Sequence, residues 1–359
     1  MTPPISIDGT DITGVTIDGT DVDEITVDGT PVFSAFPDLV FAASDDENVY
    51  ALNRSDGSQF WANTGIQFPR TEIGVDENAI YVGGNELRAI DINDGSNIWS
   101  ITGEFWPEGL AIDDTAVYAG ASDDNLYAYN KNTGSQIWSF TKSDSFSSDV
   151  AIDDTAVYAG NNNHDVYAVD KNNGSELWSF TTGDFVQDGI AVDDSAVYAG
   201  SADNNLYAID KNNGSQIWSF NVGDRITSNI VLDDTAVYAG TFPPSFGGKG
   251  VFAVDPDNGS QLWSFTPGNG RVQGIEIDDT AVYAGVNDSN IYAIDKNNGS
   301  QIWSFTTGSL VKSGIAVDDT AVYAGSEDDK IYALDKNNGS QIWSFTTGGD
   351  VEAGISLSL

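Results

Sequence analysis

A repeat of about 40 residues, with a tryptophan at one fixed place in each unit, limits the folds open to this chain of 359 residues. The phrase AVYAG, or a diverged copy of it, begins at residues 39, 79, 116, 156, 196, 236, 281 and 321. A second phrase follows each copy and places Ala, Asp or Asn, Gly and Trp at its positions 1, 3, 7 and 11. This pattern predicts one supersecondary unit that is repeated eight times.

The unit from Gly314 to Gly348 shows what each repeat contains. Four short runs rich in β-branched and aromatic residues, GIAV, AVYAG, KIYALD and QIWSFT, are separated by DDT, SEDD and KNNG. Runs of this kind are typical of strands, and the Asn-Gly pair is typical of a tight hairpin turn. Four antiparallel strands repeated eight times predict an all-β fold, an eight-bladed β-propeller of four-stranded blades.

The two ends of the repeat region indicate how the ring closes. The residues before Leu39 (SAFPD) do not resemble the GIAV strand, whereas the sequence GISLSL at Gly354–Leu359 does. We therefore expect the C-terminal strand to complete the first blade, because closure removes exposed sheet edges. The predicted domains are a propeller over residues 36–359 and a β-hairpin arm over residues 1–35.

Charge and composition exclude several classes of function. The chain has 14 basic and 55 acidic residues, a net charge of −41, and no cysteine. This charge excludes nucleic acids and anionic membranes as partners, and the lack of cysteine excludes thiol chemistry. Folding at this charge indicates an organism with molar internal salt, where the Debye length is about 3 Å.

The start of the sequence, MTPPISIDGT, has neither a basic region nor an apolar stretch. We therefore expect no secretory signal and no membrane insertion. The expected location is the surface of a virion if the protein is viral, and the cytoplasm otherwise.

The Ala-x-Asp-x3-Gly-x3-Trp phrase closely resembles the tryptophan-docking motif of the pyrroloquinoline-quinone (PQQ) repeat propellers, over residues 38–359. The resemblance implies that the tryptophan of each motif packs against the neighbouring blade and has a structural role. These residues are Trp61, Trp99, Trp138, Trp178, Trp218, Trp263, Trp303 and Trp343.

The same family includes quinoprotein dehydrogenases, which hold the quinone with a calcium ion, so an enzyme is one interpretation. The repeats show no singular Glu, Asn and Asp cluster for calcium, and the Asp-rich loops lack the ligand spacing of a calcium loop. The single histidine, His164, has no nucleophile motif to serve and is expected on a surface loop. We therefore predict no catalytic residue, no metal and no cofactor. Scaffold propellers of the bacterial outer-membrane assembly machine are the non-catalytic relatives that the resemblance implies.

The loops that join one blade to the next differ in every repeat and share one face with the loops between second and third strands. Scarce basic residues and aromatic residues outside the repeat pattern gather there, including Phe242, Lys142 and Lys330. Such a surface suits sugar rings or an acidic protein. Alternatively, these side chains plug the channel mouth and support the loops. The predicted ligand-binding residues are Phe68, Arg70, Phe105, Trp106, Phe146, Phe185, Arg225, Phe246, Lys249, Arg271 and Lys312.

The first 35 residues have a different period, of ten residues: ISIDGTDITG, VTIDGTDVDE and ITVDGTPVFS. Each unit reads as a small hairpin, which is marginal in water unless it pairs with another chain. We predict an oligomerisation arm, with a flexible linker as the alternative. Its contacts are expected from Ile5, Ile7, Val15, Ile17, Ile25 and Val27.

Strings of the form ITVDGTxV resemble N-terminal segments of structural proteins of haloarchaeal tailed viruses. The predicted function is therefore that of a non-catalytic binding propeller of a halophilic system. In this interpretation it lies on a virion surface, assembles through its arm, and recognises a host glycoprotein or glycan. The alternatives are a cellular scaffold that organises protein partners and, third, a quinoprotein-like enzyme.

Overall fold

The computed structural model describes residues 6–7, 10–11, 24–27, 30–34, 38–69, 71–102, 107–187, 189–242, 250–268 and 270–359. The chain divides into two compact units, Met1–Asp38 and Leu39–Leu359. In the first unit, β1 (Ser6–Ile7) pairs with β2 (Thr10–Asp11), and β3 (Glu24–Val27) pairs with β4 (Thr30–Ser34).

These two antiparallel pairs correspond to the first and third hairpins that the ten-residue period predicts. The second predicted hairpin lies outside the described residues. Among the residues predicted to make oligomer contacts, Ile7, Ile25 and Val27 lie in these strands. The others, Ile5, Val15 and Ile17, fall outside the described ranges.

The second unit consists of eight four-stranded antiparallel sheets, which we call blades 1 to 8 in chain order. Within the described ranges there is no helix, and therefore none that could cross a membrane. The strands of blades 1 to 4 that precede residue 182 are β5 (Leu39–Ser44), β6 (Asn48–Asn53), β7 (Gln59–Thr64), β8 (Gly74–Val75), β9 (Ala79–Gly83), β10 (Glu86–Asp91), β11 (Asn97–Thr102), β12 (Pro107–Ile112), β13 (Ala116–Ala121), β14 (Asn125–Asn130), β15 (Gln136–Thr141), β16 (Val150–Ile152), β17 (Ala156–Gly160), β18 (Asp165–Asp170) and β19 (Glu176–Thr181).

Blades 5 to 8 and the closing strand follow with the same order of elements. They are β20 (Ile190–Val192), β21 (Ala196–Gly200), β22 (Asn205–Asp210), β23 (Gln216–Asn221), β24 (Val231–Leu232), β25 (Val237–Gly240), β26 (Val251–Val254), β27 (Gln261–Phe265), β28 (Val272–Ile277), β29 (Ala281–Val286), β30 (Asn290–Asp295), β31 (Gln301–Thr306), β32 (Ile315–Val317), β33 (Ala321–Ser326), β34 (Lys330–Asp335), β35 (Gln341–Thr346) and β36 (Ile355–Leu357).

The C-terminal strand β36 completes blade 1, in which the strand order is β36-β5-β6-β7. It pairs antiparallel with β5, and Ser356 lies opposite Phe41. The Leu39 N–H donates a 2.9 Å hydrogen bond to the Ser358 hydroxyl, which extends the pairing beyond the strand. The predicted all-β propeller of eight blades, closed by its last strand, is confirmed.

The second strand of each blade carries the AVYAG phrase and is buried on both of its faces. Both faces are covered because each blade lies between two others, and continuous apolar strands of this kind are expected in such a position. The largest fully buried side chains include the tyrosine of this phrase in seven blades: Tyr81, Tyr118, Tyr158, Tyr198, Tyr238, Tyr283 and Tyr323.

The motif tryptophans join the blades. In each blade the indole N–H donates to a main-chain carbonyl in the tight turn of the next blade, as Trp178 does to Lys211 at 2.8 Å. The indole also covers the glycine of that turn: a Cβ added at Gly57 would lie 2.6 Å from the Trp343 ring, and the φ of Gly57 is +70°. Glycine is therefore required there for both space and backbone conformation.

Candidate binding face and central channel

Two sets of loops form one face of the propeller, which we call the loop face. The first set joins the blades, as at 182–189, and the second joins second and third strands, as at 201–204. The sets touch: the Ala202 N–H donates to the Phe185 carbonyl at 2.9 Å, and the Phe242 N–H to the Arg225 carbonyl at 3.0 Å. A ligand on this face would therefore meet residues from both sets.

Three phenylalanines on the loop face are exposed, namely Phe68 at 54%, Phe185 at 41% and Phe242 at 43%. The other exposed large apolar side chains of the described residues occupy one repeated position on the outermost strands, apart from the terminal Leu359. The exposed aromatics outside the repeat pattern therefore lie on the face that the variable loops predicted. The Phe185 aromatic ring also lies edge-on to His164, with centroids 5.2 Å apart.

Phe146 does not belong to this surface, and its predicted role in ligand binding was wrong. Its side chain is completely buried and packs against Phe140 and Tyr167, with ring centroids 6.0 and 5.8 Å away. The loop between blades 3 and 4 turns this side chain inward, where burial of an aromatic ring stabilises the blade junction. Five other predicted residues lie outside the described ranges: Arg70, Phe105, Trp106, Phe246 and Lys249.

The basic residues of the loop face differ in how closely they pair with acidic side chains of the protein itself. Lys312 lies between two carboxylates: its ammonium contacts Glu327 and donates a 2.9 Å hydrogen bond to Glu352. These two carboxylates raise the pKa of Lys312. This lysine therefore joins the loops around blade 8, and its charge is largely neutralised before any ligand arrives.

Lys142 is also engaged, because its ammonium lies 2.7 Å from Glu176 and 5.0 Å from the centroid of the Phe140 ring. The guanidinium of Arg271 donates a 3.1 Å hydrogen bond to the carbonyl of Thr227 and so links blades 6 and 7. Arg271 therefore links two loops, and Lys142 links its loop to the outermost strand of blade 4; support of the loops was the alternative to a role in ligand binding.

Arg271 and Lys312 meet at the mouth of the central channel. They line a polar cavity of about 200 Å³ together with Glu72, Asp149, Gln187, Asn229 and Glu352. A second cavity of about 450 Å³ continues from it and shares Glu72, Asn229 and Gly314. We call these shared residues the waist of the channel; they lie between a charged mouth and a part lined by Val75, Ile277, Val317 and Leu357.

The waist contains polar residues that the sequence analysis missed. The inner strand of the repeat begins with Gly at the position of Gly314, but Glu72, Asp149 and Asn229 occupy that position in three other blades. Similarly, Glu276 replaces the Ala that the repeat has at position 316. An alignment of the eight units, column by column, would have identified these departures from the repeat.

Two of these carboxyls have raised pKa values. Burial is the main cause at Glu276, with a smaller contribution from the charge of Glu72, and it raises the pKa of Glu276 to about 7. The channel walls around Glu72, which lines both cavities, also raise the pKa of this carboxyl by limiting its hydration. The protein surrounding the channel restricts hydration of both charges, which favours their neutral forms.

These residues do not fit the quinone cofactor of the dehydrogenases. The Asn229 amide accepts from the Ile275 N–H and donates to the Ile275 carbonyl, both at 2.9 Å, so its polar groups join two blades. Neither channel cavity has an aromatic side chain among its described lining residues, so a planar cofactor would find no ring to stack on.

Within the described ranges, one group brings three possible acidic metal ligands together, Asp45, Asp350 and Glu352, at the junction of blades 8 and 1. Its member Glu352 lines the mouth of the channel and already holds the ammonium of Lys312. We therefore derive no redox chemistry for the channel.

Comparison with protein families identifies the repeat. The sequence profile of a family described as outer membrane protein assembly factor BamB matches residues 18–138, 45–162, 162–288 and 287–356. The chain belongs to this family. The predicted membership of the PQQ-repeat propellers is thereby confirmed. A comparison with curated protein sequences gives no significant match.

Several solved structures share the propeller fold at low sequence identity. The computationally designed protein Ika8 has a TM-score of 0.73 and 18% identity, over 85% of this chain and 94% of that one. BamB from Moraxella catarrhalis has a TM-score of 0.64 and 18% identity, over 79% and 89% of the two chains. The quinohemoprotein alcohol dehydrogenase from Comamonas testosteroni has a TM-score of 0.69 and 15% identity, over 80% and 68%.

The PQQ-repeat fold therefore occurs both in an assembly factor and in alcohol dehydrogenases. At these identities the likeness concerns the fold alone, and it does not decide between binding and catalysis. That decision depends on the residues of the loop face and the channel.

Proposed function

We propose that the chain is a non-catalytic binding propeller that contacts its partner through the loop face. The observation that carries this proposal is the exposure of Phe68, Phe185 and Phe242, which depart from the repeat and lie on one face. Exposed aromatic side chains outside the repeat pattern are characteristic of interaction surfaces. Phe242 lies beside Arg225, so the face combines aromatic rings with a positive charge.

The chemistry of this face suits a glycan or an acidic glycoprotein. Aromatic rings can pack against the apolar faces of sugars, and arginine can bind their hydroxyl or acidic groups. We propose that the partner is a glycoprotein or glycan of a host surface and that the propeller is part of a virion. The resemblance of the arm to viral structural proteins and the net charge of −41 support this setting.

A cellular scaffold is the second candidate, and the match to the BamB family favours it. The two settings predict different companions for the native protein. A virion component copurifies with particles from infected cultures, whereas a scaffold copurifies with cellular proteins in uninfected cells.

The binding proposal can be tested with the labelled full-length protein and a surface-glycoprotein extract of haloarchaeal cells in molar KCl. We expect Phe185→Ala combined with Phe242→Ala to weaken binding at least fivefold, because both exposed rings are removed. Trp106→Ala should weaken it further. Ile302→Ala is the matched control, since Ile302 is equally exposed, at 49%, but lies on the outermost strand of blade 7.

Equal binding by the double variant and the control would exclude the loop face as the binding surface.

The enzyme alternative has a separate test. The protein is incubated with the quinone and calcium and passed through a gel-filtration column. A chromophore that stays with the protein would contradict the non-catalytic proposal.

A further inference from the structure

The face opposite the loop face carries a repeated ion pair between neighbouring blades, and we call it the turn face. In five blades a lysine in the tight turn after the third strand reaches the first Asp of the DDT or DEN turn in the preceding blade. The pairs are Lys131–Asp76 at 3.1 Å, Lys171–Asp113 at 2.8 Å, Lys211–Asp153 at 3.3 Å, Lys296–Asp233 at 2.6 Å and Lys336–Asp278 at 3.1 Å.

At two of these five junctions the lysine ammonium has a second acceptor, and we call the two acceptors together the seat. Lys296 donates a 2.8 Å hydrogen bond to the carbonyl of Asp278 in its own blade, besides its contact with Asp233 in the preceding blade. Lys171 makes the same second bond to the carbonyl of Asp153, at 2.9 Å. The seat therefore combines a carboxylate oxygen from one blade with a main-chain carbonyl from the next. Arg54 takes the corresponding place at blade 1, 3.9 Å from Asp318.

The junction of blades 5 and 6 keeps the seat but lacks the lysine. Where five other turns read Lys-Asn, the turn of blade 6 reads Pro256-Asp257. Replacement of a lysine by proline and of an asparagine by aspartate makes this junction two charge units more negative than the others. At the junction of blades 1 and 2 both partners change together, because Ile92 and Ser358 stand where the others have lysine and aspartate. At blades 5 and 6 the aspartate, Asp193, remains.

A cavity of about 590 Å³ opens at this junction, a size within the usual range of small-ligand sites. Its lining includes the carboxylates of Asp153, Asp193, Asp194, Asp233, Asp234 and Asp257, with Lys211 and Pro256. Lys211 and Lys296 already pair with Asp153 and Asp233. Asp193 is thus the carboxylate whose counterparts hold a lysine ammonium at five other junctions.

The remaining contacts of Asp193 match those of its counterparts. One carboxylate oxygen, Oδ1, accepts from the Ser195 and Ala196 N–H groups at 2.6 and 2.7 Å. The other oxygen, Oδ2, accepts from the Tyr198 hydroxyl at 2.8 Å, as Oδ2 of Asp113 does from Tyr118 at 3.0 Å. Asp113 additionally receives the ammonium of Lys171 on this same oxygen.

We propose that the cavity between blades 5 and 6 binds a primary ammonium group carried on an alkyl chain, with Asp193 Oδ2 and the Asp233 carbonyl as its acceptors. The ligand takes the position that a lysine side chain occupies at five other junctions. An ammonium fits better than a divalent cation, because Asp193 does not belong to any group of three acidic side chains, among the described residues, whose oxygens lie close enough together to share a metal ion. The ammonium can belong to a free alkylamine or to a lysine side chain of a partner protein.

The test uses n-butylammonium, which has the same carbon chain and charge as a lysine side chain. It is titrated into the full-length protein in molar NaCl while the amide resonances of Ser195 and Ala196 are followed by NMR. We expect a saturable shift of both resonances. Tetramethylammonium, which has the charge but no N–H donor, should cause at most one fifth of that shift at the same concentration.

Two variants locate the site. Pro256→Lys restores the lysine of the repeat and should abolish the shift, because the protein then fills its own seat. Asp193→Asn should weaken binding at least fivefold. Lys171→Ala is a positive control, since it opens an equivalent seat beside Asp113, and n-butylammonium should then also shift the amide resonance of Thr115.

A shift that is equal with tetramethylammonium, or unchanged by Pro256→Lys, would overturn the proposal, as would the absence of any saturable shift.

The source of the ammonium is distinguished by a second ligand, Nα-acetyl-lysine methylamide. Binding as tight as that of n-butylammonium assigns the site to a lysine on a protein chain. Binding at least fivefold weaker assigns it to a free amine. The site lies on the turn face, so its test is independent of the function proposed for the loop face.

Discussion

The indole N–H of Trp343 donates a 2.7 Å hydrogen bond to the main-chain carbonyl of Arg54, which precedes it by 289 residues. This bond joins blade 8 to blade 1. It has the same geometry as the bond from Trp178 to Lys211, which joins two blades consecutive in sequence. The closing junction is therefore built like an internal one, although its two sides come from opposite ends of the repeat region.

This equivalence predicts equal costs for the same substitution at both junctions. Trp343→Phe and Trp178→Phe each remove an indole hydrogen bond and leave a partly buried carbonyl without that partner. Each should lower the free energy of unfolding by about 1–3 kcal/mol. Chemical denaturation in molar KCl measures both. A neutral Trp343→Phe beside a destabilising Trp178→Phe would show that the ring is open in solution.

Removal of Gly354–Leu359 should destabilise the propeller by more than about 3 kcal/mol. The truncation deletes β36, exposes the edge of β5, and removes the Ser358 carbonyl that accepts a hydrogen bond from Arg54. Differential scanning calorimetry of the truncated and full-length chains at one salt concentration is the measurement. An unchanged melting curve would contradict the closure of blade 1 by its last strand.

Lys312 should contribute to stability in a salt-dependent way. Replacement by Gln leaves Glu327 and Glu352 without their shared cation, and we expect a loss of about 1 kcal/mol near 0.5 M KCl. The loss should shrink at 3 M KCl, where screening weakens repulsion between the carboxylates. Lys330→Gln is the control and should change stability by less than about 0.5 kcal/mol, because its contact with Asp328 is long, at 3.8 Å, and exposed.

If Lys312→Gln is neutral at both salt concentrations, the two contacts with glutamate have no structural role. In that case its positive charge would be available for a ligand on the loop face. The same denaturation series therefore distinguishes the two interpretations of this residue.

The pKa of Glu276 predicts a dependence of stability on pH. Its folded-state pKa is about 7, compared with 4.5 in an unstructured chain. Since the folded state binds this proton more tightly, the contribution of Glu276 is fully present below pH 4.5 and is lost as the pH rises to about 7. Glu276→Gln keeps the neutral form at every pH, so it should stabilise the protein at pH 8 by on the order of 2 kcal/mol.

The same variant should differ little from the natural chain at pH 4.5. Denaturation of both proteins across pH 4.5 to 8 at constant salt measures the difference, which should grow with pH. A difference that stays constant over this range would mean that Glu276 titrates normally and that water hydrates it freely in the channel.

The N-terminal arm should be needed for assembly but not for folding of the propeller. Deletion of residues 1–34 should leave a folded propeller, because the described contacts that close the ring begin at Leu39. The shortened protein should be a monomer by multi-angle light scattering, whereas the full chain should form an oligomer. Circular dichroism of both proteins confirms that folding is intact. The same oligomeric mass for both would assign assembly to the propeller instead of the arm.

The fold could be predicted because the same pattern of strands and turns occurs in eight units of the sequence. Trp178 and Trp343 occupy one column of the repeat, so a single physical explanation covers every blade. The closing strand was also predictable, since blade 1 lacks an inner strand and Gly354–Leu359 supplies one. Where a position recurs in all eight units, comparison of the units shows which residue type the fold needs at that position.

The loops were less predictable because they do not recur. Nothing in the loop around Phe146 indicates that its side chain points inward, since the fold of a single loop depends on contacts with distant strands. The partners of Lys312 are 15 and 40 residues away and could not be assigned from spacing. Glu276 and Pro256, however, break columns of the repeat, and comparison of the units would have revealed both.

Closure of the ring by β36 also affects how the protein is made. This strand follows the other described strands in the sequence, so blade 1 stays incomplete while the 316 residues from Leu39 to Gly354 are synthesised. At about 5–20 residues per second this takes roughly 15–60 s, during which the edge of β5 is open to any strand nearby.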